Sequence, residues 1–287
     1  MSVVVASHNA LPSIAECLAT LVAQRAAAGV EIVVVDNSTD GTTEVIRERF
    51  PDVKLVEAPP SALIPELWEA GMCQSTGDII AITTAHCVPG KDWVAEMLRG
   101  HEGGVAAVGG AIENGESAGI VDWAIYFCRY SQFMLPFAET FAPEVPGDNA
   151  SYKRVYLDRC RHVWRNGFWE PAVHAELKKA GLRLLLAPSI VVYHKTSFDL
   201  WGFMKQRFQH GRQFGEWRAS RLAGPTRALY VALSPVIPLV LLVRIVRQVL
   251  TKRRHRKALV VAVPVLLLFL LAWTVGELIG YLRGPAE

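Results

Sequence analysis

The sequence predicts an α/β protein with a mostly parallel sheet, followed by hydrophobic helices towards its C-terminal end. Three observations lead there. Uninterrupted apolar runs at residues 3–6, 32–35 and 79–82 have the length and β-branched content of strands covered on both faces. Helical apolar spacing fills an interval between them, with Ile14, Leu18, Leu21 and Val22 forming one stripe. The last sixty residues concentrate the apolar content that raises mean hydropathy to +0.24.

Taken in order, the first strand ends in Ser7-His8-Asn9. Leu11-Pro12 then opens a helix, with Pro tolerated in its first turn, and Gly29 closes it. The run 32–35 returns as a strand that stops at Asp36, and Asn37, Ser38, Thr39, Asp40 and Gly41 are turn formers that also suit helix N-caps. Residues 3–36 thus form a right-handed βαβ unit. Ser7 and Asn9 then lie beside Asp36 at the carboxyl edge of parallel strands, where open α/β sheets bind ligands. His8 fits either a ligand contact or an ordinary loop histidine.

A short helix over 42–50 stops at Pro51, a strand covers 53–57, and Leu67-Trp68 sits on the next helix. The turn Gly77-Asp78 leads into the strand 79–82, which is followed by Thr83-Thr84-Ala85-His86-Cys87-Val88-Pro89. Asp92 caps a helix ending at Gly100, and 105–113 reads as a strand broken by glycines. Trp123, Tyr126, Phe127, Tyr130, Phe133, Phe137 and Phe141 fit either an amphipathic helix packed on the core or an acceptor-facing or lipid-facing surface.

Net charge is only +3, but residues 201–257 carry thirteen Lys and Arg against one acid, Glu216. A basic stretch leading into apolar segments suits an anionic membrane surface, not nucleic acid. Five scattered cysteines, odd in number and without a C-x-x-C pair, read as reduced thiols. The first strand begins almost at Met1, with no signal peptide ahead of it, so the front of the chain is expected on the cytoplasmic side.

The stretch 31–42 with Asp36 resembles the nucleotide-sugar signature of inverting family 2 glycosyltransferases, and further motifs extend the resemblance over roughly residues 1–215. It implies a GT-A fold, a Rossmann-like mostly parallel sheet, in which Asp36 hydrogen-bonds the nucleotide base and Ser7 and Asn9 help to form its pocket. The family presents an Asp-x-Asp motif at a strand end to hold Mg²⁺ or Mn²⁺. Here Thr84 and His86 occupy those places, with His194 as a second imidazole at the end of the strand 190–193. Imidazole suits Mn²⁺ or a softer metal better than Mg²⁺. The alternative, and the favoured one, is that neutral histidines bond the donor diphosphate directly.

Gly147-Asp148-Asn149-Ala150-Ser151-Tyr152-Lys153-Arg154 resembles the segment under the donor sugar, so Lys153 and Arg154 are read either as diphosphate partners or as solvated cations. Gly167-Phe168-Trp169-Glu170, eleven residues ahead of Gly181, resembles the family's Glu-Asp motif. The resemblance assigns Glu170 as the general base that deprotonates the acceptor hydroxyl, with Trp169 in the place of the Glu. A helix-start Glu also complements the macrodipole. His174 is a fallback base. Gln206-Arg207-Phe208-Gln209-His210-Gly211-Arg212 loosely resembles Gln-x-x-Arg-Trp, so Gln206, Arg207 and Arg212 are read as touching diphosphate or lipid headgroups.

These readings place a catalytic domain at 1–215 and a basic, membrane-associated region at 216–287. Residues 228–243 are broken by Pro235 and Pro238 and fit an interfacial, re-entrant or spanning segment. Residues 258–276, an uncharged stretch near the ~20 residues that span a bilayer, are read as the transmembrane segment. The expected partners are a nucleotide-diphospho-sugar donor, a lipid-linked or envelope-glycan acceptor, and a membrane. Sugar transfer to polyprenyl phosphate and a non-catalytic nucleotide-sugar-binding subunit are the competing readings.

Overall fold

The computed structural model describes residues 1–115, 119–195, 199–220 and 222–283. Its chain forms two compact units. One comprises Met1–Gly115 with Leu135–Ser197, and the other Glu116–Met134 with Phe198–Glu287. The segment 200–215, grouped with the catalytic domain on sequence, lies with the C-terminal helices in this division.

The first unit alternates strand and helix as the apolar runs predict: β1 (Ser2–Ser7), α1 (Leu11–Ala28), β2 (Glu31–Asp36), α2 (Thr42–Arg49), β3 (Lys54–Glu57), α3 (Ile64–Gln74) and β4 (Ile79–Thr84). There follow β5 (Cys87–Pro89), α4 (Trp93–Gly100) and β6 (Ala107–Asn114). After α5 (Ile120–Tyr130), which belongs to the second unit, come β7 (Thr140–Ala142), β8 (Asn149–Lys153), α6 (Arg154–Arg159), α7 (Arg161–Trp164), α8 (Glu170–Lys179) and β9 (Leu184–His194).

The sheet order is β3-β2-β1-β4-β8-β6-β9-β5, with β7 also beside β9. Its first half is parallel and in register, Ser7 opposite Asp36 and Ala6 opposite Thr84. From β1 the chain builds outward through β2 and β3, then returns through α3 to place β4 on the other side of β1. Right-handed crossovers put α3 on the opposite face from α1. α3 packs close because residue 71 is glycine: a Cβ there would overlap the side chain of Val4 and touch Val35. Val3, Val4, Val5 and residues 33–35 are fully buried. β8 then enters antiparallel between β4 and β6, and the register of β9 on β6 shifts at Gly110/Ala111.

The second unit is helical: α5, α9 (Leu200–Ala219), α10 (Gly224–Leu233), a 3-10 turn at Ser234–Val236, α11 (Ile237–Lys252) and α12 (Arg256–Arg283). The aromatics of α5 are mainly core, with Tyr126, Phe127 and Tyr130 buried. α9 and α12 meet through two glycine pairs, Gly211 with Gly215 and Gly276 with Gly280. At each of the four a Cβ would overlap a backbone carbonyl of the facing helix. Spacings of four place each pair on one helix face, so the backbones approach directly. Glu277 is buried in this contact, where it accepts from Trp273 Nε1 (3.0 Å) and Tyr281 Oη (2.7 Å) and lies 3.6 Å from Arg218.

Two buried histidines tie the first unit's stability to pH. His174 stacks on Tyr152 and shares a 2.9 Å hydrogen bond with its hydroxyl; burial, aided by Lys178, pushes its pKa down to about 3. His101 bonds Ser151 at 2.8 Å, and burial, aided by Lys153, pushes it to about 4. Both are neutral when folded and regain ordinary basicity, near 6.5, when unfolded. The unfolded chain therefore binds more protons below pH 6.5, so stability present above that pH is lost as pH falls towards 4. Denaturant unfolding across pH 7.5 to 4.5 should show a falling midpoint. His174→Gln should remove up to about 1.4 kcal/mol per pH unit of that slope.

Candidate functional site

The site is built on the carboxyl ends of β2, β1 and β4, with the start of β8 beside them. Between β1 and β4 the direction of chain building reverses, and this is where an open α/β sheet leaves a crevice. Asp36 ends β2, buried, its carboxylate accepting from Ser38 Oγ (2.6 Å) and Thr43 Oγ1 (2.5 Å). Two hydroxyl donors orient the carboxylate and leave lone pairs on both oxygens. Ser7 ends β1 opposite it; its hydroxyl is wholly buried and has no hydrogen-bond partner among the described residues.

Asn9 holds the two loops together. It adopts a left-handed backbone (φ 48°), its N–H donates to Ser38 Oγ (2.8 Å), and its side-chain oxygen accepts from Thr39 N (2.9 Å). His8 bonds Asn37 at 2.9 Å, and Asn37 in turn donates to the carbonyl of Ala62 (2.8 Å). Asn9 and His8 thus act on the loops that frame Asp36.

Thr84 is buried at the end of β4, and Trp68 on α3 donates its indole N–H to the carbonyl of Thr83 (2.8 Å). Thr83 Oγ1 donates across to the Asp148 carbonyl (2.8 Å), bringing Gly147 and Asp148 to the same edge. Asn149 anchors this corner: its amide donates to Ala111 O (2.8 Å) and Ile190 O (3.1 Å) and accepts from Trp93 Nε1 (2.7 Å). Glu170, the first residue of α8, lays its carboxylate against Gly147, where any Cβ would overlap Oε1. Gly167, at φ 108°, makes the turn into α8, and the adjacent Trp169 is 41% exposed. The edge therefore runs Asp36, Ser7, Thr84, Asp148 and Glu170 across four neighbouring strands, three spacings or roughly 14 Å.

Lys153 and Arg154 are not brought to this edge. Lys153 pairs with Ile79 at the amino-terminal end of β4, four residues or roughly 13 Å down the strand from Thr83. Arg154 is spent on the carbonyls of Gly77 (2.8 Å) and Ser75 (2.9 Å). Both therefore lie away from the edge that holds Asp36 and Thr84: β8 runs antiparallel to β4, so advancing along it leads towards the amino-terminal end of that strand. His174, the fallback base, is buried against Tyr152 with its basicity suppressed.

His86, in the turn just before β5, comes beside His194 at the end of β9, because Cys87 pairs with His194 and the His86 carbonyl accepts from Lys195 N (2.7 Å). The His86 ring lies 3.4 Å from Ser13 Oγ on α1, and His194 is 1% exposed. Among the described residues no three His, Cys, Asp or Glu side chains are grouped to hold a metal. Two imidazoles without a grouped carboxylate do not fit the oxygen-rich set that Mg²⁺ requires, or a complete Mn²⁺ site.

Gln206, Arg207 and Arg212 lie on α9 in the second unit. There the Arg207 guanidinium stacks on the Trp273 ring at 4.2 Å, and Arg212 Nε is 3.6 Å from Glu216. Gly147 and Asn149 went unassigned on sequence. Nothing local distinguishes a glycine that seats a carboxylate from any loop glycine, and only the strand order puts Glu170 against it.

The solved structures that share this fold include three of glycosyltransferases. Mannosyltransferase PcManGT from Pyrobaculum calidifontis, solved with GDP-Man and Mn²⁺, matches at 21% identity and TM-score 0.58, over 96% of this chain and 86% of that one. S. aureus TarS 1–349 matches at 15% identity and TM-score 0.52, over 96% and 89%. Its complex with UDP-GlcNAc matches at 14% and 0.52, over 96% and 90%. No curated protein sequence matches. The architecture is that of GT-A glycosyltransferases. Residues 2–160 match the family model described as Glycosyl transferase family 2, more than half of the chain, and the protein therefore belongs to that family of nucleotide-sugar glycosyltransferases.

Proposed function

We propose that the protein is a membrane-associated inverting glycosyltransferase that moves a sugar from a nucleotide-diphospho-sugar to a lipid-linked or envelope-glycan acceptor, with its catalytic unit on the cytoplasmic side. The observation that carries this reading is the placement of Glu170, seated on Gly147 at one end of the strand edge whose other end is Asp36. Asp36 takes the nucleotide base, held in orientation by Ser38 and Thr43. The buried, unpartnered Ser7 hydroxyl beside it is a polar group that a ligand would satisfy. The sugar then lies towards Thr84, His86 and Asp148, and the exposed Trp169 indole offers a stacking surface for a sugar ring or acceptor.

In this reading Glu170 removes the proton of the acceptor hydroxyl as its oxygen bonds to the anomeric carbon. The bond from that carbon to the diphosphate breaks on the opposite face, and the nucleoside diphosphate leaves as an anion. One carboxylate suffices, because the leaving group needs charge stabilisation and no proton. The chemistry of His86 and His194 supports diphosphate binding by side chains, without a divalent cation.

Two apolar helical runs in the second unit, Gly224–Lys252 and Arg256–Arg283, support membrane association: each is long and apolar enough to cross a bilayer, and most of its most apolar stretch is not buried. That in turn favours an acceptor carried on lipid or in the envelope.

Calorimetric titration with UDP-, GDP- and dTDP-sugars should find one donor that binds without Mn²⁺, and Asp36→Ala should weaken it at least tenfold. Binding that requires Mn²⁺ would overturn the cation-free reading. Turnover on polyprenyl phosphate and on lipid-linked saccharides separates the acceptor classes. Glu170→Gln should lower kcat roughly 10²- to 10⁴-fold with donor affinity retained. Gly147→Ala, which displaces the carboxylate without touching its chemistry, should lower kcat roughly ten- to hundredfold, with donor affinity again unchanged.

A further inference from the structure

Resting on the membrane association proposed above, we infer how the second unit meets the bilayer: its hairpin lies flat in one leaflet, with neither helix crossing. α9 is the reason. It runs parallel to the second half of α12, Phe203 against Phe269 at a 4.7 Å ring distance, Gly211 and Gly215 against the backbone at Trp273 and Glu277, and Arg218 against Tyr281 Oη at 3.1 Å. Over that stretch α9 carries Lys205, Arg207, Arg212, Glu216 and Arg218. An upright α12 would hold these five charged groups at the depth of its own residues 269–281, and side chains of that kind are strongly disfavoured in hydrocarbon. With α9 at the membrane surface, only residues 256–268 of α12 extend beyond it, roughly 20 Å of helix, less than the ~30 Å apolar core. The hairpin tip would then end inside the bilayer, and its sequence is Lys252-Arg253-Arg254-His255-Arg256-Lys257.

A flat arrangement removes both conflicts. On α11, Arg244, Gln248 and Lys252 recur every fourth residue and are consumed by α5 and the turn after it. Arg244 donates to Gln132 Oε1 (2.9 Å), Gln248 accepts from Ser131 (2.7 Å), and Lys252 donates to the Gln132 carbonyl (2.7 Å). The opposite side of the same run exposes Val236, Leu239, Val240 and Val243, a helical i, i+3, i+4, i+7 stripe. On α12 the exposed apolar residues include Val261, Leu268, Val275 and Leu282, seven apart along one side of the full helix. Arg253, Arg256 and Lys257 are exposed at the tip and suit an anionic headgroup layer, and Arg247 has a stem long enough to reach it. The occupant of this face is therefore the surface layer of an anionic phospholipid bilayer.

The test uses the full chain, diluted from detergent onto preformed sealed vesicles of zwitterionic lipid with and without anionic phosphatidylglycerol. Sedimentation should show at least about tenfold tighter binding to anionic vesicles at low salt, weakened by added salt. A membrane-impermeant maleimide on native Cys73, which is exposed in the first unit, marks the outer side. In a Cys73→Ser background, Lys257→Cys at the tip and Leu282→Cys near the end should react as fully before detergent as after it. Nitroxide labels on Val240→Cys and Leu268→Cys should report one shared shallow depth. A tip that reacts only after detergent, or depths that grade through the bilayer, would overturn the flat docking while leaving membrane association intact. Failure to sediment with either vesicle would overturn the membrane reading itself, and the docking mode with it.

Discussion

In-register parallel pairing of β1 with β2 and with β4 is the constraint on which the site depends. It aligns Ser7 with Asp36 and Ala6 with Thr84, so three strands terminate together at one edge. Because α1, which follows β1, and α3, which leads into β4, lie on opposite faces, no crossover covers that edge between β1 and β4, and polar side chains can occupy it. Asp36 is buried there and, among the described residues, its carboxylate is held by the hydroxyls of Ser38 and Thr43. Such a carboxylate is suited to accepting hydrogen bonds from a neutral heterocycle.

Polar anchoring, not apolar packing, places the other end of the edge. Asn149 satisfies two carbonyls and one indole with a single side chain, and so pins the start of β8 where β9 bulges away from β6. Gly147 then lies where Glu170 needs empty space. Backbone approach through glycine recurs in each unit for a different purpose. Gly71 lets α3 settle on Val4 and Val35, whereas Gly211, Gly215, Gly276 and Gly280 let α9 and α12 touch along their backbones. The second contact commits a charged helix to a hydrophobic one, with Glu277 buried between them and Arg218 part-exposed beside it.

By itself the sequence determined the strand-helix alternation from β1 to β4, the position of Asp36 at a strand end, the burial of the α5 aromatics as one of two readings, and Glu170 at a helix start. Each of these follows from local pattern: an apolar run ending in turn formers, a period of 3.6, or a glycine at a fixed distance. Only the tertiary structure decided which polar residues share an edge. Lys153 and Arg154 sit five and six residues beyond Asp148 in the chain, yet β8 runs antiparallel to β4 and carries them to the far end of the sheet. Gln206, Arg207 and Arg212 fall in a helix packed on α12, a pairing set by glycines some sixty-five residues apart in sequence. Strand direction and helix partnership are non-local quantities, fixed by which surfaces bury one another, and no window of sequence contains them.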